Sequence, residues 1–281
     1  MRKLTTIEST RAALKAARAG RRLGLVPTMG NLHDGHIALV AACKARTDVS
    51  VVSIYVNPLQ FGPNEDFDRY PRTPEQDLAR LTSAGTDFVF MPEDTELYPD
   101  GRGAQSSVHV PFLSGFLCGA ARPGHFDGVA TVVLKLLNIV LPDCAFFGEK
   151  DYQQLTLLRS MVRQLDVPTE IVGVPTIRAA DGLALSSRNQ YLSTEERATA
   201  PTLHRTIRAI ADSLGRGRED FAELERGGML ELERAGFRAD YVAIRNADTL
   251  RLPSRDDPLR VLAAGYLGRT RLIDNVGVER R

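Results

Sequence analysis

The chain has 281 residues, of which 43% are hydrophobic and 25% are charged, as is typical of a globular protein with a sizeable core. Thirty-six basic and 35 acidic residues leave a formal net charge of +1, so no global attraction to nucleic acid or to an anionic membrane is expected. The three cysteines, Cys43, Cys118 and Cys144, form no C-x-x-C motif and are expected to be buried, reduced thiols of a cytoplasmic protein.

Short apolar runs alternate with amphipathic helical segments over the first 175 or so residues. One apolar stretch, 129–141, contains Lys135 and Asn138; it is too short to span a bilayer and predicts a buried helix. Apolar strands separated by helices predict a parallel sheet that is covered on both sides, with ligands bound beyond the carboxyl ends of the strands. The predicted strands are 23–26, 49–56, 88–91, 144–147 and 171–174.

The pattern changes after Pro175, where a polar turn follows, and we place a domain boundary there. Ser193 and Glu196 have capping-box spacing before a helix that is expected to reach about Leu214. A charged helix-turn-helix stretch is predicted next, with Gly227-Gly228 near its middle. The last three apolar segments are predicted to form a small sheet and are 241–244, 259–264 and 271–273.

An H-x-G-H motif, His33-Asp34-Gly35-His36, lies between the first of these apolar strands and an apolar helix. Two imidazoles at a helix start can donate hydrogen bonds to phosphate oxygens, aided by free backbone N–H groups and by the helix dipole. Because the motif is short, a surface or helix-capping role is the alternative, but its place after a strand and behind Gly30 favours anion binding. Zinc is not favoured, since no third ligand stands at a suitable spacing.

Two further polar segments offer groups that can bind phosphate. At a second strand-to-helix junction, Gly148 allows close backbone approach and Lys150 offers a point cation. Ser186, Ser187 and Arg188 supply hydroxyls and a guanidinium. The alternatives are a solvated lysine in a charged turn and an ordinary polar turn. The three segments must converge in space if they are to bind one nucleotide.

The common nucleotide-binding fingerprints are absent from the sequence. It contains no G-x-x-x-x-G-K-[ST], and Gly101-Arg102-Gly103 does not continue into G-x-G-x-x-G. A doubly wound sheet alone says little about chemistry. The nucleotide hypothesis therefore depends on the three segments above.

Eight segments, taken together and in order, closely resemble the pantothenate synthetase (pantoate–β-alanine ligase) family. The H-x-G-H motif alone is shared by a whole nucleotidyltransferase superfamily, whereas this combination is highly specific and runs almost end to end. The segments are 26–36 (VPTMGNLHDGH), 52–61 (VSIYVNPLQF), 70–73 (YPRT), 122–126 (RPGHF), 147–151 (FGEKD), 181–189 (DGLALSSRN), 243–247 (AIRNA) and 272–275 (LIDN).

The resemblance implies an α/β protein with a Rossmann-like doubly wound parallel sheet and a smaller α+β C-terminal lid domain. It implies a nucleotide- and pantoate-binding domain over residues 1–175 and a lid over 176–281. The implied activity is the ATP-dependent condensation of (R)-pantoate with β-alanine through pantoyl adenylate, releasing AMP and pyrophosphate. ATP would enter with Mg²⁺ held largely by phosphates and waters, and no tightly bound prosthetic group is expected. A cytoplasmic homodimer without nucleic-acid or membrane partners is implied as well.

The resemblance also assigns roles to individual residues, with His36 as the proton donor. Gln60 would bind pantoate and β-alanine, and Gln154 would bind pantoate; a glutamine amide can donate to a carboxylate without repelling it. The catalytic residues would be His33, His36, Lys150, Ser186, Ser187 and Arg188. The ATP-binding residues would be these six together with Met29, Gly30, Gly148, Glu149, Asp151, Ile177 and Leu185, and Met29 would also contact the substrate.

Some points stay open in the sequence. The loop 61–66 is either a mobile gate or an ordinary surface connection. Arg122 and His125 could contact a ligand or a dimer partner. Tyr55 and Tyr152 stand where many relatives carry phenylalanine, so their hydroxyls need partners or solvent.

Two rival functions remain. The first is another nucleotidyltransferase of the same superfamily, acting on a phosphorylated small molecule; it explains the histidines but not Gln60 and Gln154. The second is a nucleotide-binding sensor without turnover. It would be favoured if a phosphate-facing residue of the family were missing, and none is.

Overall fold

The computed structural model describes residues 1–63 and 65–279. The chain divides into two compact units. The first comprises Met1–Glu149 with Leu157–Pro175, and the second comprises Lys150–Thr156 with Thr176–Arg281. The separate roles of a nucleotide- and pantoate-binding domain and a lid stay predictions.

A six-stranded sheet forms the centre of the first unit, and all its paired strands run parallel. The order is β1-β4-β3-β2-β5-β6, so the chain adds strands in opposite directions on either side of the β2/β5 pair. That reversal is the topological switch point at which ligands of such sheets bind. The strands are β1 Arg2–Leu4, β2 Leu23–Thr28, β3 Val49–Ile54, β4 Phe88–Phe90, β5 Cys144–Gly148 and β6 Glu170–Val174.

Five of these strands match the predicted runs, and the predicted fold class is confirmed. The prediction missed β1, because Arg2 and Lys3 are exposed on this edge strand and only Leu4 is buried. Strands in the middle of the sheet, such as β3, are buried almost throughout, which explains why β3 carries apolar residues on both faces.

Helices accompany the sheet, and one of them, α6, contains most of the stretch predicted as a buried helix. Its apolar side chains, including Val133, Leu137 and Val140, are buried, so that prediction is confirmed. The helices up to residue 164 are α1 Ile7–Arg18, α2 Asp34–Arg46, α3 Pro74–Ser83, α4 Asp94–Leu97, α5 Cys118–Ala121, α6 His125–Val140 and α7 Tyr152–Gln164.

The three cysteines are buried and form no disulfide within the described residues, as expected. No helix among the residues that the structure describes is long and apolar enough to cross a membrane.

The second unit contains the predicted small sheet, which is antiparallel in the order β7-β8-β9. Apolar side chains of two helices, among them Leu203, Ile207 and Leu232, share a core with strand residues such as Val261 and Ile244. The elements are α8 Thr194–Thr199, α9 Thr202–Gly215, α10 Phe221–Arg234, β7 Arg238–Asn246, β8 Leu259–Leu267 and β9 Thr270–Gly277.

Two predictions in this unit are wrong in detail. The capping box of Ser193 and Glu196 is present, but two helices, α8 and α9, replace the single helix predicted to reach Leu214. Pro201 lies between them and has no N–H to continue the hydrogen bonds of α8. The stretch around Gly227-Gly228 is one helix, α10, and not a helix-turn-helix. A Cβ at position 228 would lie 2.8 Å from Ile210 Cδ1, so glycine permits close packing there.

Candidate active site

The loop between β2 and α2 carries the first predicted phosphate-binding residues. Gly30 has φ +78°, a conformation that glycine adopts without strain. A Cβ at this position would lie 3.0 Å from Asp77 Oδ2 and 3.2 Å from Ile54 Cγ2. Both the backbone conformation and the lack of space therefore call for glycine.

Asp77 on α3 binds the backbone of this loop through its carboxylate. Its side chain is buried; Oδ2 accepts a hydrogen bond from the N–H of Asn31 (2.9 Å), and Oδ1 accepts one from the N–H of Leu32 (2.8 Å). Thr73 Oγ1 donates to Oδ1 (3.2 Å). Sequence reasoning missed Asp77. The available signal was an aspartate one helical turn before buried Leu81, on the apolar side of α3.

The two histidines form a reciprocal cap at the start of α2. His33 Nδ1 accepts a hydrogen bond from the N–H of Gly35 (3.1 Å), and His36 Nδ1 accepts one from the N–H of His33 (3.2 Å). A neutral imidazole has one N–H, so an accepting Nδ1 places that proton on Nε2 in both rings. The ring centroids are 4.1 Å apart. The histidines therefore cap the helix through Nδ1, and in their neutral form both rings carry the N–H on Nε2.

One expectation from the sequence is wrong. Backbone N–H groups at this helix start were expected to be free for phosphate, but five of them already donate within the protein. Asn31 and Leu32 donate to Asp77, His33 and Gly35 donate to the imidazoles, and His36 donates to the carbonyl of His33 (2.8 Å). Any anion bound here would thus depend less on these five N–H groups and more on the imidazoles and the helix dipole.

Gln60 ends a short 3₁₀ turn, 58–60, that is capped by Asn57. The buried Asn57 amide donates to Gln60 Oε1 (3.1 Å) and to the carbonyl of Gly128 (3.1 Å). Asn57 Oδ1 accepts from the Tyr98 hydroxyl (2.8 Å). With its oxygen facing Asn57, Gln60 directs Nε2 towards Met29 Sδ, 2.9 Å away. The sequence assigned no positioning role to Asn57 or Tyr98, because their contact with each other and that of Asn57 with Gly128 join residues that are distant along the chain.

Arg122 and His125 hold the segment that follows Gln60. Arg122 makes a two-point ion pair with Glu65, with Nε–Oε1 and Nη2–Oε2 distances of 2.5 and 2.6 Å. His125 Nδ1 lies 2.7 Å from the carbonyl of Gln60, and its Nε2 lies 2.9 Å from Arg122 Nη1. Within one chain, these residues thus bind Gln60 and Glu65, in and next to the loop 61–66 that the sequence left open as a gate or an ordinary connection; position 64 of that loop lies outside the described residues.

The environment of Glu65 favours its ionised form. Burial of the carboxyl would raise its pKa, but the hydrogen bonds and the charge of Arg122 outweigh that effect, and the pKa is lowered. The ion pair therefore persists at neutral pH.

Tyr55, one of the two tyrosines that stand where many relatives carry phenylalanine, donates a hydrogen bond from its hydroxyl to Asp94 Oδ1 (2.8 Å).

Gly148 ends β5, the strand that pairs with β2 at the switch point. The next turn, Glu149–Asp151, is 3₁₀. Gly148 and Glu149 belong to the first unit, whereas Lys150 and Asp151 belong to the second. The predicted residue series therefore crosses from one unit to the other at the bond after Glu149.

In the second unit, Lys150 and Gln154 are four residues apart at the start of α7, and both are half-buried. Lys150 Nζ lies 3.9 Å from Asp151 Oδ2, and the Asp151 side chain is half exposed. A cation with one loose carboxylate contact retains donor capacity for a ligand.

The remaining predicted residues lie on a hairpin-like segment and the turn after it. The N–H of Leu185 donates to the carbonyl of Ile177 (2.9 Å), which places these two residues side by side. Ser186 Oγ accepts from the N–H of Arg188 (3.3 Å) and caps a 3₁₀ helix, Ser187–Tyr191. These residues thus form a turn, and the phosphate-binding role predicted for their side chains stays a prediction.

Predicted site residues consequently fall into two sets. The first unit holds Met29, Gly30, His33, His36, Gln60, Gly148 and Glu149, and the second holds Lys150, Asp151, Gln154, Ile177, Leu185, Ser186, Ser187 and Arg188. Convergence of the two sets on one ligand stays a prediction. Among the described residues, no group of three or more His, Cys, Asp or Glu side chains could hold a metal ion.

Comparison with known proteins places this Rossmann-like α/β chain in a defined class. The sequence model of the family described as pantoate-beta-alanine ligase matches residues 2–277. Pantothenate synthetase of Pseudomonas putida (strain W619) is 56% identical over 281 residues, which are 99% of this chain and 98% of that protein.

Solved structures agree with the sequence match. Pantothenate synthetase from Thermus thermophilus aligns with a TM-score of 0.92 at 48% identity over 99% of both chains. The ligase from Francisella tularensis, complexed with beta-gamma ATP and β-alanine, aligns with a TM-score of 0.82 at 34% identity over 100% of this chain and 99% of that one. The chain belongs to the pantoate–β-alanine ligase family.

Proposed function

We propose that this protein condenses (R)-pantoate with β-alanine, at the expense of ATP, through a pantoyl-adenylate intermediate. The observation that carries the proposal is the family match across residues 2–277. The arrangement of His33, His36 and Gln60 supports it. These side chains offer hydrogen-bond donors that can stabilise phosphate charge while the substrate's own carboxylate attacks.

In the first step, a pantoate carboxylate oxygen attacks the α-phosphorus of ATP, and the bond to pyrophosphate breaks. Negative charge on the transferring and leaving phosphates is stabilised by donors. We assign that role to the Nε2–H groups of His33 and His36 and to Lys150, Ser186, Ser187 and Arg188, acting on one ATP. The proton-donor role that the family resemblance gives to His36 takes the form of a hydrogen bond from Nε2–H to a phosphate oxygen, since the capping contact keeps the proton on Nε2.

In the second step, the β-alanine amine attacks the acyl carbon, the acyl C–O bond breaks, AMP leaves and the amine loses a proton. Gln60 would bind pantoate and β-alanine, and Gln154 would bind pantoate. The Asn57 amide donates a hydrogen bond to the side-chain oxygen of Gln60. Gln60 therefore presents its NH₂ group, which can donate to a carboxylate or hydroxyl oxygen of the substrate. Met29, next to Gln60 Nε2, would contact the same substrate.

Nucleotide recognition is assigned to three places: the β2–α2 loop, the junction between β5 and α7, and the segment that follows β6. Gly30, Gly148, Glu149 and Asp151 would contact ATP together with Ile177 and Leu185, which lie side by side. Mg²⁺ would bind together with ATP, coordinated largely by the phosphates and waters, and would neutralise part of the phosphate charge.

An isotope experiment tests this route. With pantoate labelled by ¹⁸O in its carboxylate, AMP should gain one labelled oxygen and pyrophosphate none, because the bridging oxygen of the adenylate leaves with AMP. Unlabelled AMP, or product formed with ADP and phosphate, would contradict the adenylate route. Turnover with a phosphorylated small molecule in place of pantoate would support the rival nucleotidyltransferase.

A homodimer in the cytoplasm is part of the same proposal and rests on family membership. Sedimentation equilibrium of the purified chain should give about twice the 30.9 kDa of one chain. A single-chain mass at micromolar concentration would contradict the dimer. Cell fractionation would test the location independently.

A further inference from the structure

The backbone of Lys150 is held by the C-terminal strand of the second unit. Lys150–Thr156 belongs to the same compact unit as β9. Asn275 lies on β9, opposite Leu262 of β8, and is buried. Its Nδ2 donates a hydrogen bond to the carbonyl of Lys150 (2.9 Å). The segment 272–275 was prominent in the sequence, and the proposed mechanism gives it no role.

The orientation of the Asn275 amide follows from its two partners. Arg260 Nε lies 2.7 Å from Asn275 Oδ1, and a guanidinium can only donate. The Lys150 carbonyl can only accept. Oxygen must therefore face Arg260, and the NH₂ group must face Lys150. No other residue type of this size supplies an acceptor and a donor in these two directions.

Asn275 and its neighbour Asp274 on β9 are themselves held by several hydrogen bonds. Asp274 Oδ1 accepts from the N–H of Asn275 (2.7 Å), and both carboxylate oxygens accept from Arg178, at 2.6 and 2.9 Å. Arg178 Nη2 also donates to the carbonyl of Asn275 (3.3 Å). Buried, charge-assisted hydrogen bonds of this kind restrict a residue to one position.

Arg260 gives the same segment a second attachment. Its guanidinium carbon lies 3.8 Å from the ring centroid of buried Tyr152. Asn275 thus binds the carbonyl of Lys150, and Arg260 binds both Asn275 and the ring two residues further on. The base of the long, flexible lysine side chain is fixed at two points.

We infer that Asn275 is a positioning residue for Lys150, setting where its ammonium group meets the phosphates; this inference rests on the proposed function. The anchored backbone of Lys150 sets the region that its long side chain can reach, and a shift of this anchor moves Nζ away from its bound position or costs free energy to correct. Misplacement of a reacting group by about 1 Å can lower a rate by roughly 100-fold.

Two substitutions test the role in the adenylation step. Asn275→Asp keeps the acceptor for Arg260 but turns a second acceptor towards the Lys150 carbonyl, and Asn275→Ala removes the donor without adding charge. Both should lower kcat for pantoate-dependent adenylation by about 10- to 100-fold. KM for pantoate should stay within about threefold, because no assigned pantoate contact is altered. Wild-type kcat in both variants would overturn the inference.

Asn246 provides a matched control in the same small sheet. It is buried, and its Oδ1 accepts hydrogen bonds from the N–H groups of Asp248 and Thr249 (2.9 Å each). Asn246→Asp keeps that acceptor and has no part in the proposed site, so kcat should be unchanged. An equal loss in Asn246→Asp and Asn275→Asp would show that any buried charge in this sheet has the same effect, and would overturn the inference.

Lysine labelling gives a readout that does not depend on activity. The chain has five lysines, so an amine-reactive reagent and peptide mass spectrometry can follow Lys150 against exposed Lys3 and Lys15. Local opening in Asn275→Ala should raise the labelling rate of Lys150 about threefold or more relative to the other two. An unchanged ratio in folded protein would overturn the inference.

The two readouts separate this inference from the proposed function. If the wild-type protein shows no pantoate-dependent adenylation, the proposed function fails, while the labelling ratio still decides whether Asn275 controls Lys150. If wild-type adenylation is present and the Asn275 variants match it in rate and labelling, only the positioning role fails.

Discussion

Each histidine of the His33–His36 pair uses Nδ1 as an acceptor in the cap of α2, and the proposed mechanism gives Nε2 a second role. Asparagine is among the best N-cap residues, and its side chain reaches the position of the imidazole Nδ1 but not that of Nε2. A substitution to asparagine therefore separates the two roles at a single position.

His33→Asn should keep the hydrogen bond from Gly35 and leave the free energy of unfolding within about 0.5 kcal/mol of wild type. The adenylation kcat should nevertheless fall by about 10²- to 10³-fold, as for the loss of one donor to a transition-state oxygen. His33→Ala should lose both, at a cost of about 1 kcal/mol in stability. Urea denaturation and initial rates measure the two effects; a fully active asparagine variant would contradict the assigned donor.

Gln60 offers a second test at the residue scale. Asn57 fixes its amide so that the NH₂ group is presented, and Gln60→Glu replaces that donor with a carboxylate of the same shape. Repulsion from a bound carboxylate should raise KM for pantoate by about 10-fold or more, a cost of about 1.4 kcal/mol. KM for ATP should change much less. An equal increase for both substrates would count against a pantoate contact.

At the scale of elements, the turn carrying Gln60 depends on close packing against α6. A Cβ at Gly128 would lie 2.2 Å from the carbonyl oxygen of Leu59 and 2.7 Å from the N of Gln60. Both are backbone atoms, so the turn itself would have to move.

Gly128→Ala should therefore lower the free energy of unfolding by about 1–3 kcal/mol, the range for overpacking, and should raise KM for pantoate. Gly227→Ala is the matched control. That helical glycine is exposed and has no atom within 4 Å of an added Cβ, so alanine should stabilise the protein by about 0.5–1 kcal/mol. Thermal unfolding and pantoate titration of both variants check this; a Gly128→Ala protein as stable as wild type would refute the packing argument.

Most elements of the fold could be predicted because their signals are local. β3 is rich in valine and ends before Asn57-Pro58, and the capping box of Ser193 and Glu196 needs only two residues three apart. The two-helix arrangement of α8 and α9 was missed although Pro201 is visible in the sequence, because helix periodicity continues on either side of it.

The site was less predictable than the fold. Candidate ligand-binding residues could be identified from motifs, but the groups that orient them could not. Asp77 lies 46 positions from Asn31, and Asn275 lies 125 positions from Lys150. Contacts at such separations leave no periodic trace in one sequence. The binding of the Asn31 and Leu32 N–H groups by Asp77 could not be foreseen for the same reason, whereas the caps formed by His33 and His36 are local and stood as an alternative in the sequence.

At the scale of the whole molecule, acid sensitivity is expected to come from buried carboxylates. Burial would raise the pKa of Asp274, but contacts from His204 and the two hydrogen bonds of Arg178 hold it below the ordinary value. A carboxyl whose pKa is lower in the folded state stabilises the protein above its unfolded pKa of about 3.9, and that contribution is lost as pH falls through the folded pKa.

Asp274→Asn should therefore be less stable than wild type at pH 7, by roughly 2–3 kcal/mol, because Arg178 loses its ionic partner in a largely buried place. The difference between the two proteins should shrink as pH falls below about 4. Chemical denaturation between pH 3 and pH 7, about the ordinary titration range of carboxyls, measures this. A difference that is constant over the whole range would contradict the ionised state of Asp274.

Exchange of labelled pyrophosphate into ATP tests the central claim most directly. The purified protein should catalyse this exchange when pantoate and Mg²⁺ are present and β-alanine is absent, since the first step is complete and reversible without the amine. Lys150→Ala should reduce the exchange by orders of magnitude, about the scale expected for removing a donor to the transferring phosphate. Exchange that needs β-alanine, or that proceeds equally well without pantoate, would contradict the account.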